Sequence, residues 1–426
     1  MGNLRIVGLG PTDESGLTAK AIEAIEDDSE KFLRTEAHDA VNYFRSRGIP
    51  YTSYDHLYET MDDFDSLYRA IADDLIERSE TCKISYFVPG HPLVAEKTVV
   101  YLLERDPEIE IVDGLSFIEP ILDAVKKDPV EGLVFLNGDD FTDLDIDIHK
   151  DMIVTQVYNQ RIARELKLTL SELYGDEHAV YVLSHAGHPK KESVLKRALY
   201  QLDRFDDYGF ETSLYVPKSS ARKDIKDVVA LVRRLRGPEG CSWDRRQTHE
   251  SMNANLVEEA YEAAYAIRRD DSFRVEEELG DVLFQVIFHS EIAAEEGTFT
   301  LQTISEGLIQ KMVNRHPHVF GGGRENWDAL KEEETGDVTA SQKLRHDEGL
   351  PALMRGAKAL RRVDDENLIL EFLEDYASNR EEGAWIKRMF ELLNEADQRH
   401  IEAETALDDA LGALSDYLSD REDRGN

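Results

Sequence analysis

A chain of 426 residues has room for two or three domains, each with its own core, and its apolar content of 41% is ordinary for such domains. With 88 acidic against 50 basic side chains, a formal charge of −38, it is no general binder of nucleic acid or anionic membrane, because the summed field repels both. Two cysteines, Cys82 and Cys241, exclude a disulfide framework and a Cys-based zinc site, and no apolar run approaches the ~20 residues that span a bilayer.

The start "MGNLRIVGLGPTD" passes directly into strand and turn chemistry without a signal-type segment, so a cytoplasmic protein is expected. Five apolar runs read as strands, each ending near a turn or a helix start: "LRIVGLG" (4–10), "KISYFVPG" (83–90), "IEIVDG" (109–114), "GLVFLNG" (132–138) and "AVYVLS" (179–184). "TAKAIEAIEDDSEKFL" and "SLYRAIADDLIERS" between them are helical in period. That alternation predicts an α/β domain with a largely parallel sheet, whose ligands bind outside the carboxyl ends of the strands. In "IVGLGPTD" (6–13), Gly8 and Gly10 leave room for backbone amides to approach a ligand, although a purely structural turn needs the same residues. "DDFTDLDIDIHKD" (139–151), counted from Asp143, lacks the Gly and Glu of an EF-hand and reads as an acidic alternating edge strand or loop. "SHAGHP" (184–189) fits either the lining of a ligand cleft or a turn.

After "TSLYVPKSSARKD" (212–224) strand-like runs stop, and the polar piece 217–224 reads as a linker. From Ile225 on the pattern is helical. In 275–292, Leu279, Val282, Leu283, Val286 and Ile287 form one apolar face, which is expected to meet the core. The segment 364–426 carries 19 Asp and Glu against 6 Lys and Arg. Its apolar residues Phe390, Leu393, Leu407, Leu411 and Leu414 keep helical spacing, so acidic helices are expected rather than a disordered tail.

Within the helical part, "NANLVEEAYEAAYAI" (253–267) places Glu259 and Glu262 three residues apart, and "VEEELGDVLFQV" (275–286) places Glu278 and Asp281 at the same spacing. In an acidic chain such strings also arise on solvated helix faces. Here the apolar neighbours Leu256, Ala260, Ala263, Ile267, Leu279, Val282 and Val286 are expected to face the core, which carries the carboxylates towards a seam between two antiparallel helices. Opposed carboxylates are tolerable there if divalent cations sit between them, and all-oxygen ligation selects Mg²⁺, with Mn²⁺ as substitute. Mg²⁺ usually completes its shell with water and phosphates, so a polyphosphate ligand is expected. Lys311 and Arg315 in "IQKMVNRHPHVFGG", and Lys331 in "ENWDALKEEE", supply cations for it. Trp327 fits a base-stacking ring or a core side chain equally. His316 and His318 have no partner set for zinc.

These pieces resemble the MazG family of nucleoside triphosphate pyrophosphohydrolases over residues 231–362. The resemblance rests on "LRGPEGCSWDRRQTHESM", "VEEAYEAAYAI", "EEELGDVLFQVIFHSEIA", "NRHPHVFGG" and "LPALMRGAKALRRV". It puts the family's E-E-x-x-E…E-x-x-D signature on Glu258, Glu259, Glu262, Glu278 and Asp281. It implies an all-α, commonly dimeric domain that splits a nucleoside triphosphate into the monophosphate and pyrophosphate with Mg²⁺. Glu259, Glu262, Glu278 and Asp281 would then be metal ligands and Glu258 the group that orients the attacking water. "IVGLGPTD", "VPGHPLVAEKTV" and "DGLSFIEPILDAV" resemble the tetrapyrrole methylases, which bind S-adenosylmethionine, and imply cofactor contacts at Gly8, Gly10, Pro11, Pro89, Gly90 and His91. Thr12 stands in place of the last Gly of that family's first turn, and His91 in place of its Asp, which puts methyl transfer in doubt.

The expected division is therefore an α/β methylase-like domain over 1–217, an all-α MazG domain over 218–362, and an acidic helical segment over 363–426. In that last segment "FELLNEADQ" and "ALDDALGAL" echo a degenerate second MazG repeat, with Ala406 where a Glu is needed. The function expected is Mg²⁺-dependent pyrophosphohydrolysis of nucleoside triphosphates, suited to sanitising a nucleotide pool, in a homodimer formed through the MazG helices. S-adenosylmethionine or S-adenosylhomocysteine is the expected ligand of the first domain. The competing readings are a methyltransferase with a structural helical domain and a ligand-sensing regulator.

Overall fold

The computed structural model describes residues 3–61, 63–322, 339–363 and 366–425, and the chain forms two compact units, residues 1–230 and 231–426. The first unit holds two five-stranded sheets. One is built from β1 (Leu4–Gly8), β2 (Glu30–Leu33), β3 (Thr52–Ser53), β4 (Ile84–Val88) and β5 (Glu110–Val112) in the order β3-β2-β4-β1-β5. All its pairings are parallel. The helices α1 (Ala19–Glu26), α2 (Asn42–Arg47), α3 (Asp55–Thr60), α4 (Phe64–Ser79) and α5 (Lys97–Arg105) connect these strands. Because both faces are covered, β1 and β4 are apolar almost without interruption. Ile6, Ile84 and Tyr86 pack with Leu67, Ile71, Leu75 and Leu102 on one side. Val7, Leu33 and Phe87 pack with Ala21, Ile25, Val41 and Phe44 on the other.

The stretch expected to be helical from Thr18 to Leu33 is divided. The helix α1 stops at Glu26 and residues 30–33 form β2. Asp27 breaks the helix: its carboxylate accepts from the Ser29 amide and hydroxyl and is gripped by Arg5 and Lys83. Beyond that turn Phe32 and Leu33 enter opposite cores, as alternate residues of a strand must.

The second sheet is β6 (Leu133–Asn137), β7 (Asp151–Thr155), β8 (Ala179–Ser184), β9 (Ser193–Ala198) and β10 (Thr212–Val216), in the order β6-β7-β10-β8-β9. Its helices are α6 (Ile118–Val125) and α7 (Gln160–Tyr174). Only β6 and β7 pair in parallel, and the other three pairings are antiparallel. A largely parallel sheet was thus the right expectation for the first lobe and the wrong one for this lobe. Here β8 and β9 pair antiparallel and β10 inserts between β7 and β8. The acidic stretch 139–151 is a loop that includes the short helical turn Asp143–Asp145, and β7 starts only at its end.

From Ile225 on the described elements are helices: α8 (Ile225–Arg236), α9 (His249–Arg268), α10 (Ser272–Glu296), α11 (Leu301–Arg315), α12 (Pro317–Phe320), α13 (Ala340–His346), α14 (Ala352–Arg362), α15 (Glu366–Ser378), α16 (Gly383–Gln398) and α17 (Ala403–Gly425). Thr248 caps α9 by accepting from the Ser251 amide, Asp271 caps α10, and Gly297 ends it with φ +72°. The pair α9–α10 is an antiparallel hairpin. Arg236 of α8 ties into it through Glu295 at 2.9 and 2.7 Å, and donates to the Asp244 carbonyl, in the loop before α9, at 2.7 Å.

The apolar stripe expected to meet the core does so only in part. Ile287 is fully buried, but Leu279, Leu283 and Val286 are 49%, 40% and 37% exposed, and Ile267 is 57% exposed. Ala260 is exposed as well, while Ala263 is buried. The side of α10 that turns inward carries Glu278, Gln285, Phe288 and Ile292 instead. One hairpin has a single inward seam, so a second apolar stripe remains outside. Leu407, Leu411 and Leu414 of α17 are likewise half exposed, whereas Leu393 of α16 is buried. Among the described residues no helix is long and apolar enough to cross a membrane.

Candidate active site

Three of the carboxylates singled out in the sequence, Glu259, Glu262 and Glu278, meet across the α9–α10 hairpin. Glu259 and Glu262 lie on one face of α9, Glu278 faces them from α10, and one oxygen of each lies within 4.8 Å of the others. Glu278 is only 4% exposed and, among the described residues, pairs with the Arg274 guanidinium at 3.4 Å, itself half exposed. A carboxylate taken out of water this far needs a compensating charge. Burial, and then the negative charges of Asp281, Glu262, Glu258 and Glu278, raise the pKa of Glu259. Asp281 and Glu258 are exposed, and both lie outside the converging trio. The arrangement offers hard oxygen donors of excess negative charge to a cation.

Beside the trio is a cleft of about 280 Å³ lined by Tyr261, Glu262, Tyr265, Arg274 and Asp408. Asp408 comes from α17 and forms an ion pair with Arg268 at the end of α9. Nothing in the sequence marks Asp408, which lies 140 residues from its partner. Lys311 and Arg315 sit one turn apart at the end of α11 and are not among the residues lining this cleft. Trp327 and Lys331 lie outside the described residues.

In the first unit the glycines of the strand ends meet one another. Gly10 and Gly90 exchange backbone hydrogen bonds at 3.2 and 2.8 Å. A Cβ on Gly8 would lie 2.6 Å from the Gly90 carbonyl oxygen and 2.7 Å from the Gly114 Cα. Gly10 has φ +74°, and a Cβ there would collide with the Gly16 carbonyl. Backbone packing between three loops therefore accounts for these glycines whether or not a ligand approaches them. Pro11 and Pro89 flank this contact in the chain, and His91 accepts the Leu93 amide on Nδ1 at 3.1 Å. Thr12, in the place of a glycine, is 7% exposed, and its methyl group faces Gly187. Close by, His188 Nδ1 accepts the Lys190 and Lys191 amides, so its Nε2–H donates to Asp39 at 2.9 Å. The segment 184–189 is thus a turn that fastens one lobe of this unit to the other through Asp39.

Residues 3–203 match the family model of the Tetrapyrrole (Corrin/Porphyrin) Methylases, and residues 247–320 match the MazG nucleotide pyrophosphohydrolase domain. The chain is similar to a nucleoside triphosphate pyrophosphohydrolase/pyrophosphatase MazG of Thermotoga maritima, 43% identical over 28% of this chain and 48% of that one. It is 39% identical to a nucleoside triphosphate pyrophosphohydrolase of Escherichia coli K12 over 32% of this chain and 56% of that one. It thus spans about half the length of these two relatives. With YabN of Bacillus subtilis the likeness runs through both domains, at 34% identity over 84% of this chain and 76% of that one. On that match the chain belongs to the family of fusions, represented by YabN, that join a tetrapyrrole methylase domain to a MazG nucleotide pyrophosphohydrolase domain.

Proposed function

We propose that the MazG domain hydrolyses nucleoside triphosphates to the monophosphate and pyrophosphate with Mg²⁺, or Mn²⁺ in its place, in a nucleotide-sanitising role. The observation that carries this reading is the convergence of Glu259, Glu262 and Glu278, one of them buried, within 4.8 Å. The donor set fits the ion: three hard oxygens from three carboxylates, with excess negative charge that the Arg274 guanidinium beside Glu278 only partly offsets. Glu259, Glu262 and Glu278 would hold it, with Asp281 one turn further along α10. When bound, Mg²⁺ would neutralise the triphosphate and acidify a water ligand. Glu258, exposed and outside the trio, would accept the proton of the attacking water and orient it towards the α-phosphorus. Tyr261 and Tyr265 would flank the nucleotide, and Lys311, Arg315, Trp327 and Lys331 complete the proposed binding set.

Pyrophosphate release from a panel of nucleoside and deoxynucleoside triphosphates, with and without Mg²⁺, tests the reading. Metal-dependent release that is lost in Glu259→Gln is expected. Release that persists in that variant at saturating Mg²⁺ would overturn the site.

The exposed stripe Leu279, Leu283 and Val286 supports a homodimer through these helices, since a second hairpin would bury what one leaves outside. The functional division proposed is 1–217, 218–362 and 363–426. For the first domain, binding of S-adenosylmethionine or S-adenosylhomocysteine without methyl transfer is proposed. Thr12 and His91 are the reason: close backbone approach survives these substitutions, whereas transfer also needs an aligned acceptor. Calorimetry with both cofactors tests binding, and labelled cofactor with uroporphyrinogen-type acceptors tests transfer. Neither cofactor binding, or robust methyl incorporation, would each overturn its half.

A further inference from the structure

The acidic C-terminal segment reaches the proposed site through one helix. Arg268, the last residue of α9, is held by Asp408 of α17, and its Nε lies 3.5 Å from Asp409 Oδ1. Asp408 is also a wall of the cleft that contains Glu262 and Arg274. The same helix passes Arg269: a Cβ added at Gly412 would sit 3.7 Å from an Arg269 Nη. Arg268 and Arg269 lie 5.9 and 5.2 Å from the centroid of the Tyr265 ring, so both stand next to the wall that Tyr265 and Asp408 give the cleft, without lining it themselves.

We propose that α17 is an acidic strap that occupies Arg268 in place of substrate phosphate, so that Asp408 and Asp409 compete with the nucleotide for one guanidinium. This rests on the nucleotide reading of the carboxylate site and adds its regulation. The charge balance favours exchange. Two carboxylates, 49% and 62% exposed, make a water-screened and reversible ion pair with Arg268. A triphosphate concentrates more charge and more acceptor oxygens on the same planar donor, which binds phosphate in bidentate fashion. Arg268 is on this view a positioning residue for phosphate, and Asp408 and Asp409 set how much of it is free.

The test uses the full chain and two readouts: calorimetric affinity for magnesium adenosine 5′-(α,β-imido)triphosphate, and steady-state pyrophosphate release. Asp408→Asn with Asp409→Asn is expected to tighten the analogue about 2–5-fold at low salt, with a lower KM and a gain that fades as salt rises. Asp409→Asn alone gives a smaller gain. In an Arg268→Ala background the same pair of substitutions should change nothing. Glu371→Gln with Glu381→Gln removes equal charge from exposed positions of the same segment and should not reproduce the gain. Unchanged affinity in the Asp408/Asp409 variant, an equal gain in the Glu371/Glu381 control, or a gain that survives Arg268→Ala would each overturn the strap while leaving the nucleotide reading standing. No analogue binding and no pyrophosphate release in any form would overturn the nucleotide reading, and the strap with it.

Discussion

The two units of this chain solve burial in opposite ways. In the first, β1 and β4 are covered on both faces, and Ile6, Val7, Tyr86 and Phe87 are fully buried by residues of the same unit. In the second, the α9–α10 hairpin turns a carboxylate, Glu278, inward and leaves Leu279, Leu283 and Val286 outside. The difference teaches that apolar periodicity says which residues share a face, not that the face is covered by the same chain. A parallel sheet brings its own covering helices in its crossovers, whereas a helical hairpin buries one seam and leaves the other to whatever packs there.

The contrast can be broken at its strongest point first. Phe87→Ala should cost about 3–5 kcal/mol in chemical denaturation, because its cavity lies in a core that cannot collapse around it, whereas Leu283→Ala should change monomer stability by less than ~0.5 kcal/mol. A small loss for Phe87→Ala would show that the first unit is not closed as described. Next, Glu259→Gln or Glu278→Gln should lower pyrophosphate release by about 100-fold, a size common for loss of a metal-supporting group. The melting temperature of the metal-free protein should not fall, and for Glu259→Gln it should rise, since a repulsive charge is removed.

Leu283→Lys tests the outer stripe. If a second copy covers it, sedimentation should show the dimer dissociation constant weakened by about 100-fold, as two buried leucines are lost per interface. An unchanged mass would sink the dimer proposal. The smallest effect is a pH dependence in the first unit. Burial, only partly offset by the Arg34 guanidinium beside it, pushes the Glu96 carboxyl up to about 7. Its folded pKa exceeds the unfolded one near 4.5, so the stability it contributes is present at low pH and lost as pH rises through about 7. Between those limits the wild type should lose about 1–3 kcal/mol relative to Glu96→Gln. Parallel pH curves for the two proteins would refute the shift.

Local chemistry made part of this molecule legible in the sequence. Runs such as "KISYFVPG" announce buried strands, and Glu259 and Glu262 stand at a spacing that puts them on one helix face, which needs only the 3.6-residue period. The MazG and methylase motifs were legible for the same reason: each is a short local pattern. The helix-to-strand change at Asp27 was less so, because it depends on Arg5, 22 residues away, reaching the carboxylate. Only the tertiary structure decided three further matters: the antiparallel half of the second sheet, the outward turn of Leu279, Leu283 and Val286, and the arrival of Asp408 at Arg268. In each the outcome depends on which distant segment takes up a surface or a charge, and sequence spacing carries no information about partners that meet only when the chain has folded.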